Sequence, residues 1–561
     1  MTSLLNHLLS AILLIPLAGA VAILLVGRRR TSVVPWMASA CAAAVFVAAL
    51  PLWFLYEPHG KTWQFAERGI LIPSIGASYY VGVDGFSVLL VLLTTLLALL
   101  AAVAAASDVR TRVSAFYACM LVLEASLLGA FIALDFLLFF LCWLVMLAAM
   151  YFLIRLWGAG RSRASAVRFM VFTCGGSVAV LAGIVALVLS SGSVTGAYSF
   201  DITLFHTIDV PVRVQRWVFV AFFIGFGASV PMFPLHAWLA DAQTSAPTAA
   251  SVMLTAVMLK IGAYGFVRFS LPILPEASRD FVPAMVAFAI AGAIYGALLA
   301  FAQRDWKRLV AYWTVSQMSL VILGLCVLTP AGITGSFVQQ INHGITTGAL
   351  LMIAGALAAR GGTREAPGPD QNPAPVASPV RRKIHPWQAT PIFAAIFLVM
   401  TLSAIGVPAL NGFVGQKLVL QGVYAVNRWW AAAAGVAIAL AAVYLLRLYW
   451  HTMSGGAAMM GSSFRGLTAR ELAALVPLAA LAVAIGIHPA PVLSRLETSV
   501  GRVVARVNPA YAPFVAQGSD CATPAPPDPA GPPPVFVLVE PCADGSTPAD
   551  ETKPPPPAKP R

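Results

Sequence analysis

Apolar runs of about 20 residues, each long enough to cross a bilayer as a helix, recur along almost the whole chain and decide what it can fold into. Fourteen can be marked, at 4–26, 33–55, 81–105, 114–134, 136–154, 166–189, 216–235, 248–271, 282–302, 309–328, 332–358, 389–424, 429–449 and 471–491. The hydrocarbon core offers no water to backbone amides, so only helices or closed barrels span it. A barrel needs short alternating segments, whereas these runs are continuous. The sequence therefore predicts an all-α polytopic membrane protein with about 14 transmembrane helices. Of the 561 residues, 59% are hydrophobic and 10% charged, with mean hydropathy +0.84. A soluble domain carries about 25% charged residues. This chain could not cover itself in water, which excludes a soluble enzyme and a disordered scaffold.

Two runs are not simple spans. The twelfth is too long and contains Gly406, Pro408, Gly412 and Gly415. The seventh ends in Pro231-Met-Phe-Pro234. Both read as broken helices, which are tolerated at membrane depth where they line a polar path inside protein. Residues 360–388 form a polar loop with Pro and Gly, and 509–561 a Pro-rich tail too polar to bury a core. The expected division is a membrane domain over 1–495 and a disordered or polyproline-like tail over 496–561.

The net charge is +13. No basic block is interleaved with aromatics, so nucleic acid is not the partner; the bilayer is. The charges fall in short clusters between spans, including Arg28 to Arg30, Arg110 and Arg112, Arg161 and Arg163, Lys307 and Arg308, and Arg381 to Lys383. With these segments on one side, that side holds twenty Lys and Arg against seven in the opposite short segments. Cytoplasmic loops carry this excess. Both termini are therefore expected on the outer side of a bacterial-type inner membrane. The first run is too long for a cleaved signal core.

Cys41, Cys119, Cys142, Cys174 and Cys326 lie in apolar runs, where cysteine acts as a small hydrophobe. No CxxC occurs, so neither an iron–sulfur nor a zinc site is signalled. Cys521 and Cys542, in the tail, could pair in an oxidising compartment. No phosphate-cradling loop, nucleophile triad or dinucleotide fingerprint is present.

The informative residues are polar ones inside apolar runs. Lys260, in Ala256-Val-Met-Leu-Lys-Ile-Gly-Ala-Tyr264, costs about 2.5–3.5 kcal/mol to place mid-span. It either lines a hydrated path and exchanges protons or is a packed structural cation. His343, near the middle of the eleventh run, can both accept and donate a proton; the alternative is a satisfied core histidine. Glu124, in the fourth run, is a further relay candidate. Asp84 opens the third run and suits a helix cap. Asp305-Trp-Lys-Arg308 reads as an interface anchor.

Several strings together resemble one family. They are Gly82-Val-Asp-Gly-Phe-Ser87, Met150-Tyr-Phe-Leu-Ile-Arg-Leu-Trp-Gly158, Val230-Pro-Met-Phe-Pro-Leu-His-Ala-Trp238, Ala246-Pro-Thr-Ala-Ala-Ser251, Lys307-Arg-Leu-Val-Ala-Tyr312 and Gly412-Phe-Val-Gly-Gln416. They resemble chain M of proton-translocating NADH-quinone oxidoreductase, complex I, within the antiporter-like superfamily. The resemblance covers roughly residues 1–495. It implies two inverted five-helix repeats with the seventh and twelfth helices broken, and proton transport along a central hydrophilic axis. It also implies that electron transfer takes place in partner subunits, where NADH, flavin, iron–sulfur clusters and quinone bind. No cofactor is expected in this chain.

The chain departs from the family pattern at four positions. Leu144 stands where the family has Glu after Trp, and Ser229 where it has Lys before Val-Pro. Gln317 replaces His in Tyr-x-x-Val-Ser-His, and Gln416 replaces Glu after Gly. None of the four titrates near neutral pH. The expectation is a divergent M-type paralogue with a reduced path through Lys260 and His343, and Glu124 as a possible substitute carboxylate. The alternatives are a non-pumping spacer of the membrane arm, or a subunit of a Mrp-type antiporter or membrane hydrogenase.

Overall fold

The computed structural model describes residues 7–27, 29–106, 109–359, 390–454 and 467–508. The 360–388 loop, the tail from 509, and Cys521 and Cys542 lie outside the described residues. Six helices come first: α1 (Leu8–Val26), α2 (Val34–Leu55), α3 (Gly85–Ala105), α4 (Val113–Ile132), α5 (Phe136–Trp157) and α6 (Ser162–Thr195). Then come α7 (Val212–Ser229), α8 (Leu239–Ser245), α9 (Thr248–Ile273), α10 (Val282–Ala302), α11 (Trp306–Cys326) and α12 (Pro330–Ala359). The last are α13 (Pro391–Ile405), α14 (Asn411–Val426), α15 (Arg428–Ser454), α16 (Ala469–Ile487) and α17 (Ala490–Val507).

Twelve of the described helices are long and apolar enough to cross a membrane. The two expected spans outside that set are the seventh and the twelfth, and each is interrupted where Pro and Gly predicted. α7 stops at Ser229, and α8 begins beyond Pro231 and Pro234. α13 stops at Ile405, and Gly406 turns the chain with φ 89°, a left-handed conformation that favours glycine. Aspartates start several helices by accepting backbone N–H bonds: Asp84 from Ser87, Asp135 from Leu137 and Leu138, and Asp305 from Arg308.

Burial inverts the pattern of a soluble protein. The spanning windows of α9, α11 and α12 are buried to 100%, 94% and 94%, against 28% for α1 and α2. The buried helices are also the more polar ones. Lipid is as apolar as leucine, so polar side chains gain by turning inward and apolar ones lose nothing outward.

Three features correct the expected architecture. The protein is not wholly α: β1 (Gln64–Ile72) and β2 (Ala77–Val83) form an antiparallel hairpin turned at Gly76. The third span consequently begins at Gly85 and not at 81. Second, α17 is amphipathic and buries Val492, Leu496, Val500 and Val504, while its arginines reach carbonyls of neighbouring segments. Arg495 donates to Trp53 O at 2.7 Å, Arg502 to Gly60 O at 3.3 Å and Arg506 to Pro272 O at 2.6 Å. The boundary expected between 495 and 496 falls inside this helix. Third, Lys307 is no interface anchor: it is 1% exposed and turns into the bundle. The hairpin and α17 mark one end of the bundle, called the hairpin end below; Lys307 lies at the opposite end.

Candidate functional site

The site is built around an irregularity in α9. Residues Met253–Met258 and Phe266–Ser270 are π-helical and bracket Lys260. A π turn takes in one extra residue and often marks a functional site. Ser251 and Thr255 follow the α spacing of four; the π turn then brings Lys260, five further on, onto the same face. Lys260 Nζ donates to Thr255 O at 3.0 Å and lies 2.7 Å from His343 Nδ1. Lys260 and His343 are 0% and 1% exposed. The imidazole stacks on Trp313, with centroids 5.0 Å apart, and its Nε2 stands 3.1 Å from Thr347 Oγ1. Either partner of the Lys260–His343 contact can carry the shared proton, and Thr347 Oγ1 can donate to or accept from Nε2 according to the tautomer. Among the described residues no carboxylate pairs with Lys260.

Polar contacts continue from this centre to the end opposite the hairpin. Thr255 Oγ1 donates to Gln243 Oε1 at 2.8 Å, and Gln243 Nε2 to Lys307 O at 3.1 Å. Ser251 Oγ donates to Gln243 O at 2.9 Å and receives a bond from Lys307 Nζ at 3.2 Å. Lys307 Nζ also donates to Ala246 O at 2.7 Å. At the surface Arg308 and Arg168 both pair with Asp241. Gln243 comes from α8, so the break in the seventh helix is what delivers this amide to the row.

Toward the hairpin end, Gln339 lies one turn from His343 on α12 and Gln317 one turn from Trp313 on α11. Gln339 Nε2 donates to Gln317 Oε1 at 3.0 Å. Asn342 Nδ2 donates to Asn411 O at 2.6 Å, and Ser403 Oγ to Asn411 Oδ1. Gln416 Nε2 donates to Ala404 O at 3.4 Å, inside the break of the twelfth helix. At Gly415 a Cβ would collide with Gln339 Oε1, so the close approach of α14 to this row requires glycine. Gln317 Nε2, Gln339 Oε1, both amide atoms of Gln340, Asn342 Oδ1 and Asn411 Nδ2 are buried with no hydrogen-bond partner among the described residues.

Of the residues singled out from sequence, Lys260 and His343 meet directly, while Gln317 and Gln416 flank one polar row. Ser229 is buried at the end of α7, its Oγ donating to Gly225 O at 3.4 Å. Leu144 lies 39% exposed on an outward face with Leu141 and Val145, and Trp143 occupies the interior instead. Glu124 is 1% exposed, and both its carboxylate oxygens lack a hydrogen-bond partner among the described residues. It neighbours Cys41 of α2 and makes no bond with the Lys260 row.

Sequence reading missed Gln243, Ser251, Thr255, Gln339 and Thr347. The signal was present for some: Gln339, His343 and Thr347 recur every four residues on one helical face. It also missed Arg268, which pairs with Asp84 through bonds of 2.9 and 2.6 Å at the hairpin end. Arg268 further bonds Tyr264 Oη at 2.9 Å and Ser87 Oγ at 2.8 Å and lies over the Trp63 ring. Asp84 is thus both the expected cap and half of a buried ion pair. Among the described residues, no cluster of three His, Cys, Asp or Glu stands ready for a metal.

A family model described as NADH:quinone oxidoreductase/Mrp antiporter, transmembrane, matches residues 133–441. NADH-quinone oxidoreductase subunit M of Rhodobacter capsulatus is 35% identical over 514 residues, which is 89% of this chain and 96% of that protein. A chain of respiratory complex I from Thermus thermophilus superposes with TM-score 0.76 at 27% identity, covering 88% of this chain and 99% of its own. A chain of the Mrp complex from Dietzia sp. DQ12-45-1b shares the fold, with TM-score 0.72 at 21% identity; 89% of this chain matches 52% of that one.

Proposed function

Because this chain belongs to the NADH:quinone oxidoreductase/Mrp antiporter family of transmembrane subunits, we propose that it is an M-type membrane-arm subunit of a proton-translocating NADH-quinone oxidoreductase. Its contribution is a proton path centred on Lys260 and His343. The observation that carries this reading is the 2.7 Å contact between the two, fully buried, inside a polar row that runs toward both ends of the bundle. One arm passes through Thr255, Gln243 and Ser251 to Lys307. The other passes through Gln339 and Gln317 to the break beside Gln416. Buried amide atoms without partners among the described residues are the setting in which internal water is held, and both arms need water to become continuous, since the first is joined partly through backbone carbonyls. The 35% identity across nearly all of a subunit M favours this reading over a Mrp subunit, whose 21% likeness concerns the fold.

Chemistry on NADH, flavin, iron–sulfur clusters and quinone belongs to partner subunits in this reading. Where Leu144 and Ser229 stand, the family resemblance implies a Glu–Lys couple that switches the central lysine; here Ser229 is buried and uncharged and Leu144 faces outward, so neither supplies it. Amide and hydroxyl groups can hydrogen-bond water that carries a proton, but they change no charge themselves. The complex, purified with its co-assembled subunits and placed in vesicles, is therefore expected to move fewer protons per electron pair than one whose chain carries Glu and Lys at those two positions. An equal ratio would overturn the weakened-couple reading, whereas no proton movement through this chain would leave it a spacer.

The Lys and Arg asymmetry supports a hairpin end facing outward and a Lys307 end facing the cytoplasm. A reporter fused after Arg561 is expected to be active only outside the cytoplasm, and cytoplasmic activity would reverse the orientation.

A further inference from the structure

A surface groove of about 720 Å³ opens at the end opposite the hairpin, between the α5–α6 turn and the first turns of α6. Arg161 and Arg163 stand at its outer end, and Val167, Arg168, Val171 and Phe172 line it further along α6. Val167 and Val171 are 47% and 64% exposed. Asp241 is already shared between Arg168 and Arg308. Arg161 and Arg163 are exposed and, among the described residues, have no acidic partner.

The arrangement follows the membrane normal. Arg161 and Arg163 sit where the span ends, and Val171 lies about 12 Å deeper than Arg163 at the helical rise of 1.5 Å per residue. Positive charge at the interface above an apolar wall complements a lipid, with its phosphate at the surface and its acyl chain below. Basic pockets beside transmembrane helices on the cytoplasmic side bind such headgroups. A free phosphate would use the arginines but leave the valine wall uncovered.

We infer that this groove holds an anionic phospholipid, its phosphate between Arg161 and Arg163 and an acyl chain along Val167 and Val171. The inference concerns a site separate from the proton path, so either can fail without the other.

The test is R161Q/R163Q in the intact complex. Both side chains are exposed, so the fold is not at stake. Complexes are delipidated in mild detergent and exposed to vesicles of phosphatidylcholine alone or mixed with phosphatidylglycerol, and the bound phospholipid is then extracted and identified. The unaltered complex is expected to retain about one more phosphatidylglycerol than the variant, with roughly fivefold weaker retention for each arginine lost. Phosphatidylcholine retention should not change. Three results would overturn the assignment: equal phosphatidylglycerol retention; displacement of the bound anion by inorganic phosphate, which marks a free-anion site; or loss of a neighbouring subunit with lipid unchanged, which marks a protein interface.

Discussion

Replacing Lys260 by methionine is expected to leave the complex assembled and to slow proton transfer through this chain about 10²-fold, the usual cost of removing a positioned acid–base group. Methionine has nearly the length and volume of lysine, so the side chain keeps its place beside Met318. The fold loses little, because Nζ bonds Thr255 O, His343 Nδ1 and, at 3.9 Å, the weak acceptor Met318 Sδ, and is held by no carboxylate among the described residues. Removing a buried amine also removes the cost of desolvating it. Lys260→Arg separates the two roles considered for this residue. A guanidinium keeps the charge but does not release its proton, so a structural cation would be rescued by arginine and a relay would not. The readout is protons moved per electron pair in vesicles, with electron-transfer rate and subunit content measured alongside. Unchanged pumping in the methionine variant would remove Lys260 from the path; pumping regained with arginine would make it structural.

The sequence made the bilayer architecture legible because lipid imposes a composition on every span. Pro231, Pro234 and Gly406 showed where two helices break, since both residue types act locally on the backbone. Lys260 and His343 stood out because each is costly inside an apolar run. Other features depend on relations that no window of sequence contains. The π turns of α9 leave no residue signature, yet they decide that Lys260, and not Leu259, joins the face of Ser251 and Thr255. Lys307 looks like one more basic residue at a span end until the packing shows α8 and α9 turning it inward. Glu124 and Leu144 illustrate the reverse limit. A carboxyl or a leucine inside a span carries no label for the face it occupies, and these two face α2 and the exterior respectively. The hairpin was hidden because Tyr79 to Val83 run on into the apolar residues of α3.

Breaking the Asp84–Arg268 pair is expected to have the largest effect on stability. Both residues are buried, 4% and 3% exposed, and they are joined by two charge-assisted bonds of 2.9 and 2.6 Å. They come from the start of α3 and the far part of α9, and they tie those helices together at the hairpin end. Tyr264 Oη, Ser87 Oγ and the Trp63 ring occupy other faces of the guanidinium. Removing one partner leaves the other charge buried without its counter-ion, a loss of about 3–5 kcal/mol. Asp84→Asn should be the milder single change, since an amide oxygen still caps Ser87 N. Arg268→Met should be the harsher, since it strands a carboxylate. The double variant removes both charges and is expected to lose less than the sum of the two, a coupling of at least about 1 kcal/mol. Thermal unfolding of the purified complex, together with retention of this chain in it, measures all three variants. Additive losses of less than about 1 kcal/mol each would mean that packing of Trp63 and Tyr264, and not the ion pair, holds this end closed.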